Sequence, residues 1–172
     1  TAASVTSTSL TTTTLSASTI LPRVSSTEIS RGNRAKKQVI FTFDGGSGSQ
    51  SLDQILATLA KHEVVGTFFL TGKWMSQNTD GTRRIIQNGH EVFNHTYNHP
   101  HLTQVGDQTI ASEFSTTEAL YFSLTGSTTK PYFRPPYGDR NAHVKEYAAS
   151  LGYQSVYWTV DALDWKESEG YT

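Results

Sequence analysis

The sequence predicts an α/β fold, a parallel (β/α) barrel that is either small or incomplete. Short β-branched or aromatic runs alternate with segments of helical periodicity from residue 38 onward, as in successive strand-helix units. Five such units can be counted, whereas a complete barrel of the common kind has eight. Polar residues also stand at the ends of several strands, where folds of this class hold their active sites.

The predicted elements follow one another along the chain. The strands are predicted at residues 39–43, 67–70, 91–94, 132–134 and 155–160. The helices are predicted near residues 52–59, 82–87, 108–124 and 144–151. The first helix has apolar residues at the spacing of one buried face, namely Leu52, Ile55, Leu56 and Leu59. Glycines at positions 89, 126 and 152 end three of these helices.

Residues 1–36 are predicted to be a Ser/Thr-rich linker or arm, and residues 37–172 a single domain. The first segment has few large apolar residues, so it cannot bury enough surface to offset the entropy of ordering. The alternative is a short ordered arm at Ile20 and Leu21 that packs on the domain. With 172 residues, of which 35% are hydrophobic, the chain is long enough for one core but short for two.

The composition excludes several partners and kinds of site. Fourteen basic and fifteen acidic residues give a net charge of −1, without the basic stripe that nucleic acid or anionic lipid requires. No stretch approaches the roughly 18 apolar residues of a membrane span. The first residues do not have a basic-then-apolar pattern, so we expect any targeting segment to be already removed. Because the chain has no cysteine, histidines and carboxylates are its only strong metal ligands. We expect a monomer.

Four predicted strands end at residues that are able to perform chemistry. Asp44 follows the first strand, and His95 and His99 follow the third. Arg134 ends the fourth strand, and Asp161 follows the fifth. Because the C-terminal ends of parallel strands share one rim, these residues are predicted to meet at one mouth.

The two histidines are candidate metal ligands. His95 and His99 are four residues apart, so one helical turn would aim both imidazoles at the same divalent ion. Histidines at this spacing are often only solvated or capping residues, but the position after a strand favours ligation. His101 follows Pro100, which turns the chain, and is interpreted as peripheral.

Asp44 and Arg134 each have a structural and a functional interpretation. Asp44 precedes a Gly/Ser loop that would let substrate approach its carboxylate, or it simply forms a turn. That loop lacks the spacing and the lysine of a phosphate-binding loop, and Ser49 stands where a serine-hydrolase elbow at Ser47 requires glycine. Arg134 precedes two prolines that would hold it against a carboxylate, unless it forms a plain surface ion pair. Trp165 either grips a sugar face or belongs to the core.

These residues resemble the motifs of the polysaccharide deacetylases of the NodB-homology type, also called carbohydrate esterase family 4, from about residue 38 to the end. The motif T-F-D-D-G appears as T-F-D-G-G at residues 42–46, and H-[ST]-x-x-H at residues 95–99. The third and fourth motifs match residues 134–137 and 161–165. The resemblance implies a deformed (β/α) barrel that binds zinc, or another divalent ion, through the two histidines.

The resemblance also implies a role for each matched residue. Asp44 corresponds to the general base, Arg134 to the residue that positions this base, and Asp161 to the carboxylate that tunes a catalytic histidine. Tyr137 and Trp165 correspond to residues that form the substrate groove. In this chemistry the metal polarises the acetamide carbonyl and its bound water, the base takes the water's proton, and an acid protonates the departing amine.

Two departures from the family pattern modify these expectations. The second aspartate of the first motif, a metal ligand in the family, is Gly45 here, so we expect weaker metal binding, with water or Asp44 filling the gap. The family's last motif, which carries the histidine that acts as general acid, would lie beyond Thr172. We therefore expect a domain truncated before that motif, and weak or no turnover from this chain.

The leading hypothesis is a metal-dependent hydrolase that removes acetyl groups from N-acetylated polysaccharides such as chitin or peptidoglycan, or O-acetyl groups from xylan. A carbohydrate-binding pseudoenzyme is the main alternative, since it would explain Gly45 and the missing acid. A metal-independent structural domain is the third. The Ser/Thr-rich start is typical of a spacer outside the cytoplasm, so we expect an extracellular or cell-envelope location.

Overall fold

The computed structural model describes residues 24–169 and shows an open parallel sheet. Its strands are β1 (Thr42–Gly45), β2 (Thr67–Leu70), β3 (Glu91–Asn94), β4 (Tyr132–Phe133) and β5 (Gln154–Ser155). They lie side by side in chain order, and each neighbouring pair is parallel. The predicted α/β class is confirmed, and a sheet that does not close on itself is consistent with a deformed barrel.

Helices connect the strands. They are α1 (Leu52–Lys61), α2 (Gly72–Gln77), α3 (Thr79–Gln87), α4 (Asp107–Thr125) and α5 (Ala142–Ser150). Short 3₁₀ turns lie at Leu102–Gln104, Pro136–Gly138 and Asp164–Glu169. Helix α2 was not predicted, because six residues are too few for a clear periodicity. It begins after Thr71, whose hydroxyl accepts a hydrogen bond from the Trp74 amide at 3.1 Å.

The first and last strands differ from their predicted positions. Strand β1 begins three residues later than expected, and Val39, Ile40 and Phe41 are 79%, 65% and 52% exposed. Among the described residues β1 pairs only with β2, whose own ladder begins at Thr67, so pairing starts where that partner starts. Strand β5 is likewise limited to two residues, because its partner β4 has only two.

Two clusters of buried side chains form the core. One joins α1, α2, α3 and the C-terminal half of α4 to the sheet, and it consists of Leu52, Leu56, Leu59, Phe68, Leu70, Trp74, Met75, Ile85, Val92 and Tyr121. The other joins α4 and α5 to β4, and it consists of Leu102, Ile110, Phe114, Phe133, Val144, Ala148 and Tyr153. Each fully buried aliphatic side chain contributes about 1.5–3 kcal/mol. The helices therefore fix the sheet from one side and leave its other face for the site.

Part of the predicted linker or arm packs on the domain. Ile29 forms a parallel bridge with Val156, because its amide donates to the Ser155 carbonyl at 2.9 Å and its carbonyl accepts from Tyr157 at 2.8 Å. Glu28 forms two hydrogen bonds with Arg140 beside this bridge. The predicted arm residues Ile20 and Leu21 lie outside the described residues. Within residues 24–169, no helix has both the length and the apolar character needed to cross a membrane.

Candidate active site

Strand β1 presents Asp44 to the inner face of the sheet. In the ladder Asp44 stands opposite Phe69, and Gly45 stands opposite Leu70. Successive residues of a strand point to opposite faces, so position 45 faces the core that Leu70 fills. A Cβ atom at Gly45 would lie 2.5 Å from Leu70 Cδ2. Although the second aspartate of the first motif is replaced by glycine, position 45 has no open space beside it, because the Leu70 side chain fills it.

Arg134 fixes the orientation of the Asp44 carboxylate. Its Nη1 donates to Asp44 Oδ1 at 2.6 Å and to Thr42 Oγ1 at 3.0 Å, and its guanidinium lies 4.2 Å from the centre of the Phe69 ring. The arginine is only 3% exposed, so these contacts hold it in one position. Asp44 Oδ1 is thereby occupied, while Oδ2 faces His95 Nε2 at 3.9 Å. The predicted arginine-carboxylate contact is present.

His95 presents a free ring nitrogen to the site. Its Nδ1 lies 2.8 Å from the Arg134 carbonyl oxygen, which can only accept, so the proton is assigned to Nδ1 and the lone pair to Nε2. Burial lowers the pKa of His95, against the opposing charge of Asp44. Burial and, to a smaller extent, the charge of His95 together lower the pKa of His99 to about 4. Both imidazoles are therefore neutral at pH 7, which is the form that binds metal ions.

The two histidines lie on a loop and not on the helical turn that the spacing predicted. Thr96 and His99 have positive φ angles of 65° and 62°, which a helix does not contain. The Thr96 amide donates to Asn94 Oδ1 at 2.8 Å, and the His99 amide donates to Thr96 Oγ1 at 3.2 Å. This loop brings the Nε2 atoms of His95 and His99 to 3.2 Å from each other, so the predicted convergence is present with a different backbone.

The histidine pair fits two positions of a divalent metal site. With zinc-nitrogen distances of about 2.0–2.1 Å, two nitrogens of a tetrahedral site lie roughly 3.3 Å apart, close to the observed 3.2 Å. His95 is also oriented through its second nitrogen, as metal-binding histidines usually are. The described part of the chain has no group of three or more His, Cys, Asp or Glu that could hold an ion. The nearby carboxylate is Asp44, which Arg134 holds.

Tyr137 lies at the rim of the site together with His101. The tyrosine is 62% exposed, and its ring centre is 4.4 Å from that of His99. His101 stacks on the tyrosine ring at 4.1 Å and lies 3.7 Å from Asp139. The structure thus places His101 at the rim, and its interpretation as peripheral stays a prediction.

The structure does not bring Asp161 and Trp165 into this group. Asp161 is exposed, and its Oδ1 accepts from the Leu163 amide at 2.9 Å. Trp165 is 67% exposed, with the Lys166 ammonium 5.0 Å from its ring centre. Within residues 24–166, no hydrogen bond, ion pair or ring contact joins either residue to the histidines or to Asp44. Their roles stay predictions, since they follow β5, beyond which the described sheet has no strand to position them.

Sequence reasoning missed two buried polar residues that support the histidine loop. Asn94 is fully buried, and its Nδ2 donates to the Phe114 carbonyl at 3.2 Å. Glu113 is 8% exposed and accepts hydrogen bonds from the loop. Glu113 is three residues after Ile110 on the buried face of α4. A carboxylate at an apolar position of a periodic helix is the feature that would have identified it.

Residues 31–156 match the family described as polysaccharide deacetylase. The peptidoglycan-N-acetylmuramic acid deacetylase PdaA of Bacillus subtilis is 35% identical over 135 residues, 78% of this chain and 51% of that protein. A peptidoglycan-N-acetylglucosamine deacetylase of Bacillus cereus is 35% identical over 131 residues, 76% of this chain and 47% of that protein. The chain thus spans about half the length of these curated relatives.

Solved structures of the same kind are also similar. The structure of PdaA, a family 4 carbohydrate esterase, has a TM-score of 0.80 at 33% identity and covers 84% of this chain and 62% of its own. BA3943 of Bacillus anthracis, described as a pseudoenzyme of carbohydrate esterase family 4, has a TM-score of 0.79 at 33% identity, with coverage of 84% and 51%. A mutant of BA3943 with restored enzymatic activity also has a TM-score of 0.79.

Proposed function

Because the chain belongs to the polysaccharide deacetylase family, we propose that it is a metal-dependent hydrolase that removes acetyl groups from N-acetylated polysaccharides, with peptidoglycan as the favoured substrate. One observation carries this proposal. The Arg134 guanidinium holds one oxygen of Asp44 and directs the other toward a pair of neutral histidines. A base beside a potential ion-binding pair is the arrangement that hydrolysis of an acetamide requires.

Each residue then has a defined task. A divalent ion, most simply zinc, would supply Lewis-acid activation of the acetamide carbonyl and of water when bound by His95 and His99. Asp44 Oδ2 accepts the proton of the attacking water, because Oδ1 is already held by Arg134. His95 keeps its Nε2 directed into the site through its Nδ1 hydrogen bond. Tyr137 is 62% exposed and keeps apolar surface that a sugar can contact beside the face on which His101 stacks.

The relatives support a proposal for the substrate and the location of the protein. Two of them are named for N-acetyl groups of peptidoglycan, on muramic acid and on glucosamine. We therefore place the protein at the cell envelope or outside the cell, with an acetylated polysaccharide as its partner. Such polymers are extended chains. An extended chain suits a site that lies at the ends of the strands and has the exposed Tyr137 at its rim.

A carbohydrate-binding pseudoenzyme is the second candidate. Gly45 favours it, because the chain lacks the second aspartate of the motif and because Leu70 fills the space where a side chain would begin. A structurally similar protein of B. anthracis is itself described as a pseudoenzyme. This candidate keeps the Tyr137 rim and predicts binding of sugar oligomers without release of acetate.

Acetate release distinguishes the two candidates. We expect slow release from N-acetylglucosamine oligomers and peptidoglycan fragments when zinc is present. Asp44→Asn should reduce that rate by about 10²–10⁴-fold, the usual contribution of a general base. Asp53→Asn is the matched control, because Asp53 pairs with Arg84 on the surface. Oligomer binding with no release above the Asp44→Asn background would reject the hydrolase and support the pseudoenzyme.

A further inference from the structure

A buried carboxylate on α4 holds the loop between the two histidines. Glu113 Oε2 accepts hydrogen bonds from the amides of Tyr97 and Asn98, each at 2.7 Å. Its Oε1 accepts from Asn98 Nδ2 at 2.9 Å. Tyr97 and Asn98 lie between His95 and His99, so all three hydrogen bonds reach the segment that sets the spacing of the two rings.

Burial of this charge needs an explanation. Glu113 is 8% exposed, and within residues 24–166 it forms no ion pair with a lysine, arginine or histidine. Burying a carboxylate without a cation costs several kcal/mol unless hydrogen bonds replace its water. An apolar residue would suit this position better, since Ile110 and Phe114 beside it on α4 are buried. Core packing therefore does not account for the glutamate.

The loop that Glu113 holds has a backbone that would otherwise relax. Thr96 and His99 both have positive φ angles, which cost roughly 1–3 kcal/mol each for a residue other than glycine. The other side of the loop is bound by α2, where the amides of Gly72 and Lys73 donate to the carbonyls of Thr96 and Tyr97 at 2.9 and 3.0 Å. The loop is thus held through its carbonyls by α2 and through its amides by Glu113.

We propose that Glu113 is a positioning residue, which sets the distance between the Nε2 atoms of His95 and His99 by fixing the loop between them. The inference rests on the proposed function, because that distance matters only if the pair binds an ion. Glu113 touches neither histidine ring in this role and acts through the amides of Tyr97 and Asn98. Residues that orient metal ligands in this indirect way typically change metal affinity by about 10- to 100-fold.

Zinc affinity tests the proposal. We expect Glu113→Ala to raise the zinc Kd by about 10- to 100-fold, measured by competition with a chromophoric chelator. Glu113→Gln should raise it by less than the roughly tenfold lower limit of that range, because its oxygen can still accept from both amides while its NH₂ opposes that of Asn98. The zinc Kd of Glu113→Gln also tests the proposal if Glu113→Ala does not fold. An unchanged Kd in the folded variants would overturn the proposal.

A second α4 carboxylate provides the matched control. Glu118 accepts hydrogen bonds from Thr128, Thr129 and Tyr153, so Glu118→Ala also removes several hydrogen bonds from α4. We expect it to lower stability and to change the zinc Kd by much less than Glu113→Ala does, because Glu118 reaches the histidine loop only indirectly, through Tyr153 and Asn94. A loss of affinity as large as that of Glu113→Ala would show general loosening of the fold and would overturn the positioning role.

Failure of the proposed function can be told apart from failure of this inference. If the unsubstituted protein binds no zinc, the metal-dependent function fails. The positioning role is then read from the ring signals of His99 by NMR in the metal-free protein. Glu113→Ala should shift them more than Glu118→Ala does, because Glu113 bonds the loop directly. Unshifted His99 signals in Glu113→Ala would overturn the inference independently of any metal.

Discussion

Arg134 is the residue on which the geometry of the site depends most. It is buried, it donates to both Asp44 and Thr42, and its carbonyl oxygen accepts from His95. One residue therefore orients the base through its side chain and a histidine through its backbone. A substitution at this position can disturb the side-chain contact while the backbone contact remains, which makes the two effects separable.

Arg134→Lys tests the side-chain contact. A lysine ammonium is a compact point charge without a planar face, so it cannot bind Thr42 and Asp44 in a fixed fork and also lie flat on Phe69. We expect acetate release to fall by about 100-fold, near the lower limit of what a well-placed general base contributes. Rate measurements with Arg140→Lys as control check this. A rate within twofold of the unsubstituted protein would contradict the role of Arg134.

Among single residues, the sequence was sufficient to identify the site residues that stand at the C-terminal ends of strands. Asp44, His95 and Arg134 meet because parallel strands end at one rim, and the order of motifs was enough to find them. The backbone between His95 and His99 could not be predicted, because its positive φ angles depend on contacts with α2 and Glu113. Those contacts join residues that are 15 or more positions apart.

Among the elements, the loop after β3 and the start of α2 fit together closely. A Cβ atom at Gly72 would lie 2.1 Å from Tyr97 Cδ2, so only glycine leaves room for that ring. Gly72 also donates its amide to the Thr96 carbonyl at 2.9 Å. The first residue of α2 therefore helps to position the segment that carries His99.

Gly72→Ala should destabilise the protein although alanine is the better helix former by about 1 kcal/mol. We expect a loss of about 1–3 kcal/mol from the overlap with Tyr97, measured by urea denaturation. Gly106→Ala is the control, since no atom lies within 4 Å of a Cβ at that position. Equal stability of Gly72→Ala and the unsubstituted protein would show that the loop can move away at no cost.

The arm and β5 form a second junction between elements. The Arg140 hydrogen bond lowers the pKa of Glu28 from its ordinary value of 4.5, against the opposing effect of burial. A carboxyl whose pKa is lowered by folding stabilises the folded state fully above its unfolded value. That contribution is lost as the pH falls through the lowered folded value. The contact should thus hold the arm at neutral pH and release it in acid.

Glu28→Gln tests this junction. At pH 7 we expect a loss of about 1 kcal/mol, the typical net value of a hydrogen bond, seen as a lower Tm. The gap in Tm between variant and unsubstituted protein should be constant above pH 4.5 and close in more acidic buffer. Asp53→Asn, at an exposed ion pair, should show a smaller gap. A Glu28→Gln gap that widened on acidification would contradict the assignment.

The helices and the strands differ in how far they could be predicted. Helix α4 was predicted within one residue at each end, because Ile110, Phe114, Thr117 and Tyr121 mark its buried face. Strand β1 was predicted three residues early, because residues 39–41 have strand propensity but, among the described residues, pair with β2 only through the Phe41 carbonyl, which accepts from the Thr67 amide at 3.0 Å. Strand ends depend on neighbours from elsewhere in the chain, which periodicity does not report.

For the molecule as a whole, the parallel order of strands explains why distant motifs form one site. The sheet carries Asp44 on β1, His95 after β3 and Arg134 after β4, and α4 and α2 support the loop between them. The predicted fold class and family resemblance are confirmed. Asp161 and Trp165 follow the last described strand and stay predictions.

Zinc binding by calorimetry tests the central claim that His95 and His99 form one ion-binding pair beside Asp44. The account predicts saturable uptake by the unsubstituted protein that disappears in His95→Ala. His143→Ala should bind as the unsubstituted protein does, because His143 is an exposed histidine paired with Asp107. Equal zinc uptake by His95→Ala and the unsubstituted protein would contradict the account.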